Sequence, residues 1–184
     1  MHRPNDLKIK KFGLYCVGDY YLERVGDWIL NVLEFDVKEI DLWFRFREMF
    51  VLMDEVFLCT CLEKLELSGK ILVDIPENVK FSSLRFLKFD EITFSSYESV
   101  GELWVNCPVL EIVEEIAPSS VFDDCTFGLL KKITHVKSLS SEGETIEALN
   151  RSYDSDFNTV HNGFPLFHNL MELSISVDEA YCGQ

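Results

Sequence analysis

The segment LEKLELSGKILVDIPENVKFSSLRFLKFDEITF, residues 62–94, contains the same apolar phrase twice. The first copy has leucine at offsets 0, 3, 5 and 10, namely at Leu62, Leu65, Leu67 and Leu72. The second copy begins 22 residues later and has apolar residues at offsets 0, 3, 5, 8 and 10, namely Leu84, Leu87, Phe89, Ile92 and Phe94. Residues two apart in a strand point to the same side. Offsets 3 and 5 therefore predict one strand per copy with a fully apolar inner side.

The phrase recurs along the whole chain with variations. Its copies begin at Ile9, Val37, Leu62, Leu84, Leu110, Val136 and Leu170, at intervals of 22 to 34 residues. Two later copies are degenerate, because Glu115 and Ser141 place a polar residue at offset 5. The polar stretch 140–160 separates the last two copies and is interpreted as a loop insertion.

Repeats of roughly 20 to 29 residues with one strand each are typical of leucine-rich repeats. A strand with an apolar inner side cannot bury it alone, so copies stack and share a core. The expected fold is an α/β leucine-rich-repeat solenoid arc. We expect a mostly parallel concave sheet, with helices or irregular connectors on the convex side. Residues 1–184 are expected to form a single domain of about seven irregular repeats, with the insertion near 140–160.

Two helices are predicted between the strands. Residues 21–35 carry apolar side chains three or four apart on one helical face, at Leu22, Val25, Ile29, Val32 and Leu33, with Trp28 extending that face. The spacing of Ser95 and Glu98 predicts a capping box. The helix that follows it should bury Val100, Leu103 and Trp104 and end before Pro108. Residues 48–57 fit neither period and are interpreted as a buried connector.

Composition limits the function classes. The chain has 17 Lys and Arg against 32 Asp and Glu, a net charge of −15, which disfavours nucleic acid as a partner. It has no apolar run long enough to span a membrane and no apolar segment typical of a secretion signal. We therefore expect an intracellular protein, of the cytoplasm or nucleus, with no nucleic-acid or membrane partner.

No catalytic, metal or cofactor site is predicted. The dinucleotide, phosphate-loop and nucleophile-elbow motifs are absent from the sequence. Six cysteines lie unevenly in a chain too long to need disulfides for stability, so we expect reduced core thiols. Cys59 and Cys61 are one residue too close for a Cys-x-x-Cys redox or zinc pair. Asp154, Asp156 and Asn158 imitate a calcium loop, but Thr159 stands where the loop requires glycine. We expect a protein that is not an enzyme.

The predicted concave face carries the side chains at offsets 2, 4 and 6. Most of them are charged: Lys11, Glu39, Asp41, Lys64, Glu66, Lys88, Asp90, Glu114 and Glu172. The exceptions are Trp43, Phe86 and Ile112, and large apolar groups on a solvated face often mark a binding anchor. We hypothesise a protein-binding site at Trp43, Phe86 and Ile112 with Lys64, Glu66 and Lys88. The alternative is that flanking loops or a further domain cover the three apolar residues.

Four segments together carry a resemblance to a known family. They are CLEKLELSG at residues 61–69, PENVKFSSLRFL at 76–87, NCPVLE at 106–111 and FPLFHNL at 164–170. In this order they resemble the repeat region of plant F-box proteins with leucine-rich repeats, many of which end in an FBD region. The resemblance implies the substrate-recognition scaffold of a Skp–cullin–F-box ubiquitin ligase, whose repeats hold an unknown protein target.

The resemblance covers the repeat region only. F-box segments are rich in Leu-Pro, and this chain has no Leu-Pro dipeptide and starts directly in a repeat. An FBD region is not seen either. We therefore expect a Skp-type adaptor to be a partner only if an F-box is supplied upstream. The alternative is a truncated relic, or a free-standing repeat scaffold with no ligase role.

Overall fold

The chain is built around one parallel sheet of seven strands. The computed structural model describes residues 8–18, 22–114, 130–142 and 166–176. The strands are, in sheet order, β1 (Lys11–Val17), β2 (Glu39–Arg45), β4 (Lys64–Gly69), β6 (Phe86–Asp90), β8 (Ile112–Glu114), β9 (Ser138–Glu142) and β10 (Glu172–Ser176). Each strand pairs in parallel with the next repeat's strand. All seven predicted strands are present, and the α/β fold with a mostly parallel sheet is confirmed.

Two rows of core residues come from offsets 3 and 5 of the phrase. Offset-3 residues stand in register across the sheet and are buried from the second strand to the sixth: Ile40, Leu65, Leu87, Val113 and Leu139. A parallel row of offset-5 residues, Leu42, Leu67 and Phe89, is also buried. Full burial of one such side chain stabilises the fold by about 1.5–3 kcal/mol. The repeated phrase therefore predicts the two inner rows correctly.

A second, smaller sheet lies beyond the ends of the main strands. It consists of β3 (Phe50–Val51), β5 (Ile71–Val73) and β7 (Thr93–Phe94), paired in parallel. Its strands bury Ile71 and Val73, whereas Leu72, the offset-10 residue, is only partly buried. Leu72 lies between the two inward residues of this strand, because successive residues of a strand point to opposite sides.

The turn into the second sheet has a left-handed backbone. Gly69 has φ +89° and Glu91 has φ +54°. The two positions are equivalent, because the residues just before them, Ser68 and Asp90, are register partners. The amide of Lys70 donates to the Phe44 carbonyl at 2.9 Å, which holds the turn against the preceding repeat. The turn after β4 is thus repeated after β6.

Helix α1 (Leu22–Leu33) follows the first strand. It buries Val25, Ile29 and Val32, and Leu22 and Leu33 pack at the margin of the core. Trp28 is 50% exposed, so its predicted place on the buried face is wrong. Successive residues of an α-helix are about 100° apart around its axis. Ile29 lies at the centre of the buried stripe, so Trp28, one residue earlier, lies at its edge.

Helix α2 (Tyr97–Val105) buries Val100, Leu103 and Trp104 as predicted. The predicted capping box is wrong, since the N-cap residue is Ser96 and the Ser95 hydroxyl bonds the Asp74 carboxylate of the preceding repeat instead.

The ambiguous connector at residues 48–57 becomes strand β3 and a 3₁₀ helix, Asp54–Leu58. It buries Phe50, Leu52, Val56 and Phe57.

Several predictions fall on residues that the structure does not describe. Glu115, Cys125, Cys182 and most of the insertion near 140–160 lie outside the described residues. Ser141, the polar offset-5 residue of the sixth copy, is described and occupies a buried position. Among the described ranges, no helix is long and apolar enough to cross a membrane.

Candidate functional site

The side of the sheet that faces away from the core presents three rows of side chains. This side, predicted as the concave face, is called the outer face here. Its first row is Lys11, Glu39, Lys64, Phe86, Ile112, Ser138 and Glu172. The second row is Gly13, Asp41, Glu66, Lys88 and Glu114, and the third is Tyr15, Trp43, Ser68 and Asp90. In β2, β4, β6 and β8, these residues alternate with the buried ones.

Four of the predicted site residues form one cluster, which we call the Phe86 corner: Lys64, Glu66, Phe86 and Ile112. Phe86 and Ile112 are direct register partners on β6 and β8. The Lys64 ammonium lies 4.2 Å from the centroid of the Phe86 ring and 2.7 Å from the Glu66 carboxylate. A cation over an aromatic face is attracted to its π-system. Lys64 is therefore held by two contacts beside an apolar pair.

Trp43 belongs to a different cluster. It lies in the third row, with Tyr15 and Ser68 as register partners, and the Arg45 guanidinium lies 5.3 Å from the centroid of its ring. We call Tyr15, Asp41, Trp43 and Arg45 the Trp43 corner. The structure thus separates Trp43 from Phe86 and Ile112, although all three lie on the outer face. Lys88 stands between them in the second row, with the carboxylates of Glu66 and Glu114 as register neighbours.

Tyr15 links the first two strands through a charged hydrogen bond. Its hydroxyl donates to the Asp41 carboxylate. This bond, together with desolvation and the negative charges of Asp41 and Glu66, raises the pKa of Tyr15 to about 12. The ring is 62% exposed, so the bond fixes an aromatic side chain that solvent can reach.

Tyr15 and Arg45 are missing from the sequence-based site. The rule that defines the outer face includes Tyr15, which lies at offset 6 of the copy that begins at Ile9, whereas Arg45 lies at offset 8 of the copy that begins at Val37 and is outside the rule. The bond between Tyr15 and Asp41 and the position of Arg45 over Trp43 depend on side-chain conformation. Neither contact can be inferred from the spacing of residues in the sequence.

Ion pairs join neighbouring repeats at the start of the strands. Glu111 lies 2.6 Å from Arg85 and 3.1 Å from Lys137, and Lys38 lies 2.9 Å from Glu63. The hydrogen bond from Lys137, followed by the charges of both cations, holds the pKa of Glu111 below its usual value. These pairs are largely exposed, and exposed pairs contribute little to stability. They connect the repeats beside the outer face without lying on it.

The thiols of Cys59 and Cys61 form a pair 3.4 Å apart. The Cys61 thiol also donates to the Val37 carbonyl at 3.4 Å. Burial raises the pKa of Cys59 and of Cys107 to about 12, which disfavours the thiolate that metal binding or nucleophilic attack needs. In the part of the chain that is described, no three His, Cys, Asp or Glu side chains are grouped to hold a metal ion.

Strands stacked in parallel and in chain order, over a core of leucine-rich phrases, define a leucine-rich-repeat protein. Comparison with known proteins then gives its relatives. The chain is homologous to plant F-box/LRR-repeat proteins, which confirms the resemblance drawn from the sequence. No family model matches the chain, and no solved structure matches it.

Three relatives from Arabidopsis thaliana illustrate the relationship. An F-box protein is 26% identical over an alignment of 197 positions, which covers 96% of this chain and 45% of the relative. An F-box/LRR-repeat protein is 29% identical over 178 residues, which cover 92% of this chain and 38% of the relative. An FBD-associated F-box protein is 33% identical over 87 residues, 47% of this chain and 21% of the relative. The chain therefore spans less than half the length of these relatives.

Proposed function

We propose that this chain is a protein-binding module whose outer face holds a protein target. Its role would be that of the substrate-recognition repeats in a Skp–cullin–F-box ubiquitin ligase, acting in the cytoplasm or nucleus. The observation that carries the proposal is the apolar pair of Phe86 and Ile112, in register on a face that is otherwise mainly charged. The role is one of binding, and we assign it no catalytic step.

The two corners have the composition of a binding surface. Interface hot spots are enriched in Trp, Tyr and Arg, and the Trp43 corner contains one of each. Burying apolar surface there would favour binding, and this gain is offset in part by the freedom that both partners lose on association. The surrounding charges favour partners of complementary charge and repel others. With a net charge of −15, the chain is better suited to a protein partner than to nucleic acid.

The test compares two triple variants of the whole chain. The variant Trp43→Ser, Phe86→Ser, Ile112→Ser removes the three predicted anchors. The matched control, Trp28→Ser, Phe35→Ser, Val105→Ser, removes three apolar side chains that are 50%, 38% and 61% exposed and lie away from the sheet. Circular dichroism verifies that both variants fold.

Each chain is then used to capture proteins from a plant cell extract, with quantification by mass spectrometry. We expect at least one protein whose recovery falls tenfold or more with the outer-face variant and is unchanged with the control. Equal recovery of every captured protein by both variants would contradict the proposal.

Docking of the adaptor is proposed to need an F-box in addition to the repeats. We expect a Skp-type adaptor to bind a fusion in which the F-box of a relative precedes Met1, and not to bind the chain alone. Binding is measured by calorimetry with purified adaptor. If the chain alone bound the adaptor, the assignment of the repeats to target recognition would be wrong. If the fusion failed to bind, a free-standing scaffold with no ligase role would be the better description.

A further inference from the structure

The two corners of the outer face lie on a diagonal with a carboxylate at its centre. Trp43 is in the third row of β2, and Phe86 is in the first row of β6, two strands away. Strands about 4.8 Å apart with a rise of about 3.3 Å per residue put these residues about 16 Å apart. Glu66, in the second row of β4, lies midway. The order along the diagonal is therefore apolar, acidic, apolar.

The centre of this diagonal carries two like charges. Glu66 and Asp41 are direct register partners, and like charges opposite each other on a sheet destabilise it. Glu66 is paired with the Lys64 ammonium and has Lys88 as its register partner on β6, whereas Asp41 accepts its hydrogen bond from the neutral Tyr15 hydroxyl. Because the donor is neutral, that bond brings no opposite charge to Asp41. A cation placed between the two carboxylates would be attracted to both.

We infer that the outer face selects an extended segment of its target with the pattern apolar-x-basic-x-apolar. In an extended chain, residues i, i+2 and i+4 point to the same side and span about 13 Å. Side-chain reach covers the remaining few ångströms to the two corners. The residue at i+2, a lysine or arginine, then faces Asp41 and Glu66. The net charge of −15 adds a long-range attraction for such a segment.

This inference rests on the proposed function, and peptide selection tests it independently of any natural target. A random 12-residue phage-displayed library is panned on the complete chain. We expect enriched sequences with apolar residues four positions apart and Lys or Arg between them. A synthetic fluorescent copy of an enriched peptide should lose at least tenfold in affinity, measured by anisotropy, when its central residue becomes Glu.

Variants of the chain assign that preference to the two carboxylates. Asp41→Asn with Glu66→Gln should lower the affinity for the basic peptide at least fivefold. The control Glu63→Gln also breaks a Lys–Glu pair, at 2.9 Å, but Glu63 lies just before β4 begins and outside the three rows. This control should leave the affinity unchanged.

The outcomes separate the inference from the proposed function. Selected peptides that need Trp43, Phe86 and Ile112 but show no central cation would overturn the inference and leave the proposed function intact. Selected peptides that bind the outer-face triple variant as well as the original chain would count against both. Failure to enrich any sequence would also overturn the inference, because a preorganised face of this kind should retain short segments.

Discussion

At the scale of single residues, Gly69 has the strictest backbone requirement. Its φ is +89°, and a Cβ added there would overlap the carbonyl oxygen of Phe44, which belongs to the neighbouring strand. We expect Gly69→Ala to lower the free energy of unfolding by about 3 kcal/mol or more, since left-handed strain alone costs about 1–2 kcal/mol. Urea denaturation with an unchanged m-value would measure this loss.

Gly18 provides the matched control for that substitution. Its φ is +99°, but no atom lies within 4 Å of an added Cβ. Gly18→Ala should therefore cost only the left-handed strain, about 1–2 kcal/mol. Equal losses for the two substitutions would show that the close approach to Phe44 has no energetic consequence.

Tyr15 gives the chain a specific response to alkaline pH. Because its pKa is raised to about 12 from 10 in the unfolded chain, the neutral phenol is favoured in the folded state. Its contribution to stability is complete below pH 10 and is lost as the pH rises from 10 through 12. Subtracting the ultraviolet titration of Tyr15→Phe from that of the original chain should isolate one phenol with a pKa near 12.

Asp41→Asn is the companion variant for this titration. It removes the negative charge that accepts the Tyr15 hydroxyl. The pKa of Tyr15 should then move back toward its ordinary value of 10. An unchanged titration in this variant would mean that Asp41 is not the cause of the shift.

At the scale of elements, α1 is held by a narrow stripe of side chains. Ile29 is fully buried, whereas the adjacent Trp28 is half exposed. We expect Ile29→Ala to lower the free energy of unfolding by about 2–5 kcal/mol. Trp28→Ala, although it deletes more atoms, should cost less than about 1 kcal/mol, in line with other exposed positions. Chemical denaturation of both variants checks the order, and a larger loss for Trp28 would reverse our assignment of the buried face.

Elements long enough to show a period in the sequence could be predicted, and shorter elements could not. Five of the seven main strands have apolar residues at both offsets 3 and 5, and the copies that begin at Leu110 and Val136 keep the apolar residue at offset 3. The strands of the second sheet have only two or three residues, too few to show a period. The predicted N-cap of α2 is off by one residue. Ser95 and Ser96 are both residues that can cap a helix, and the Ser95 hydroxyl bonds Asp74 of the preceding repeat instead.

The candidate site was predictable to a similar extent. Phe86 and Ile112 share offset 2, whereas Trp43 has offset 6, so spacing alone already places Trp43 in another row. The contacts that organise each corner, Lys64 over Phe86 and Arg45 over Trp43, depend on side-chain conformations. The spacing of residues in the sequence therefore predicts the three rows of the outer face, but not the two corners that side-chain contacts form on it.

At the scale of the whole molecule, stability should vary along the sheet. β4 is paired on both sides and its inward residues are buried, whereas β10 lies at one end of the described sheet. Leu173 and Ile175 of β10 are 52% and 43% exposed. We expect amide hydrogen exchange to be slowest in β4 and much faster in β10, since repeat stability depends on contacts with neighbouring repeats. Uniform protection across the sheet would contradict this.

The isolated chain should nevertheless unfold in one main transition. The offset-3 row runs without interruption from β2 to β9, so the central repeats share one core. A single sigmoidal thermal transition that coincides by circular dichroism and tryptophan fluorescence would support a folded module. Aggregation without a transition would support the truncated relic instead.

The one-to-one register of the strands also has an evolutionary consequence. Because outer-face residues alternate with core residues along each strand, substitutions on the outer face leave the core intact, so a gene duplicate can change this face without losing the fold. Selection for new recognition and selection for folding then act on different residues of the same strand. A sheet of this kind allows a large gene family to diversify its specificities on one unchanged scaffold.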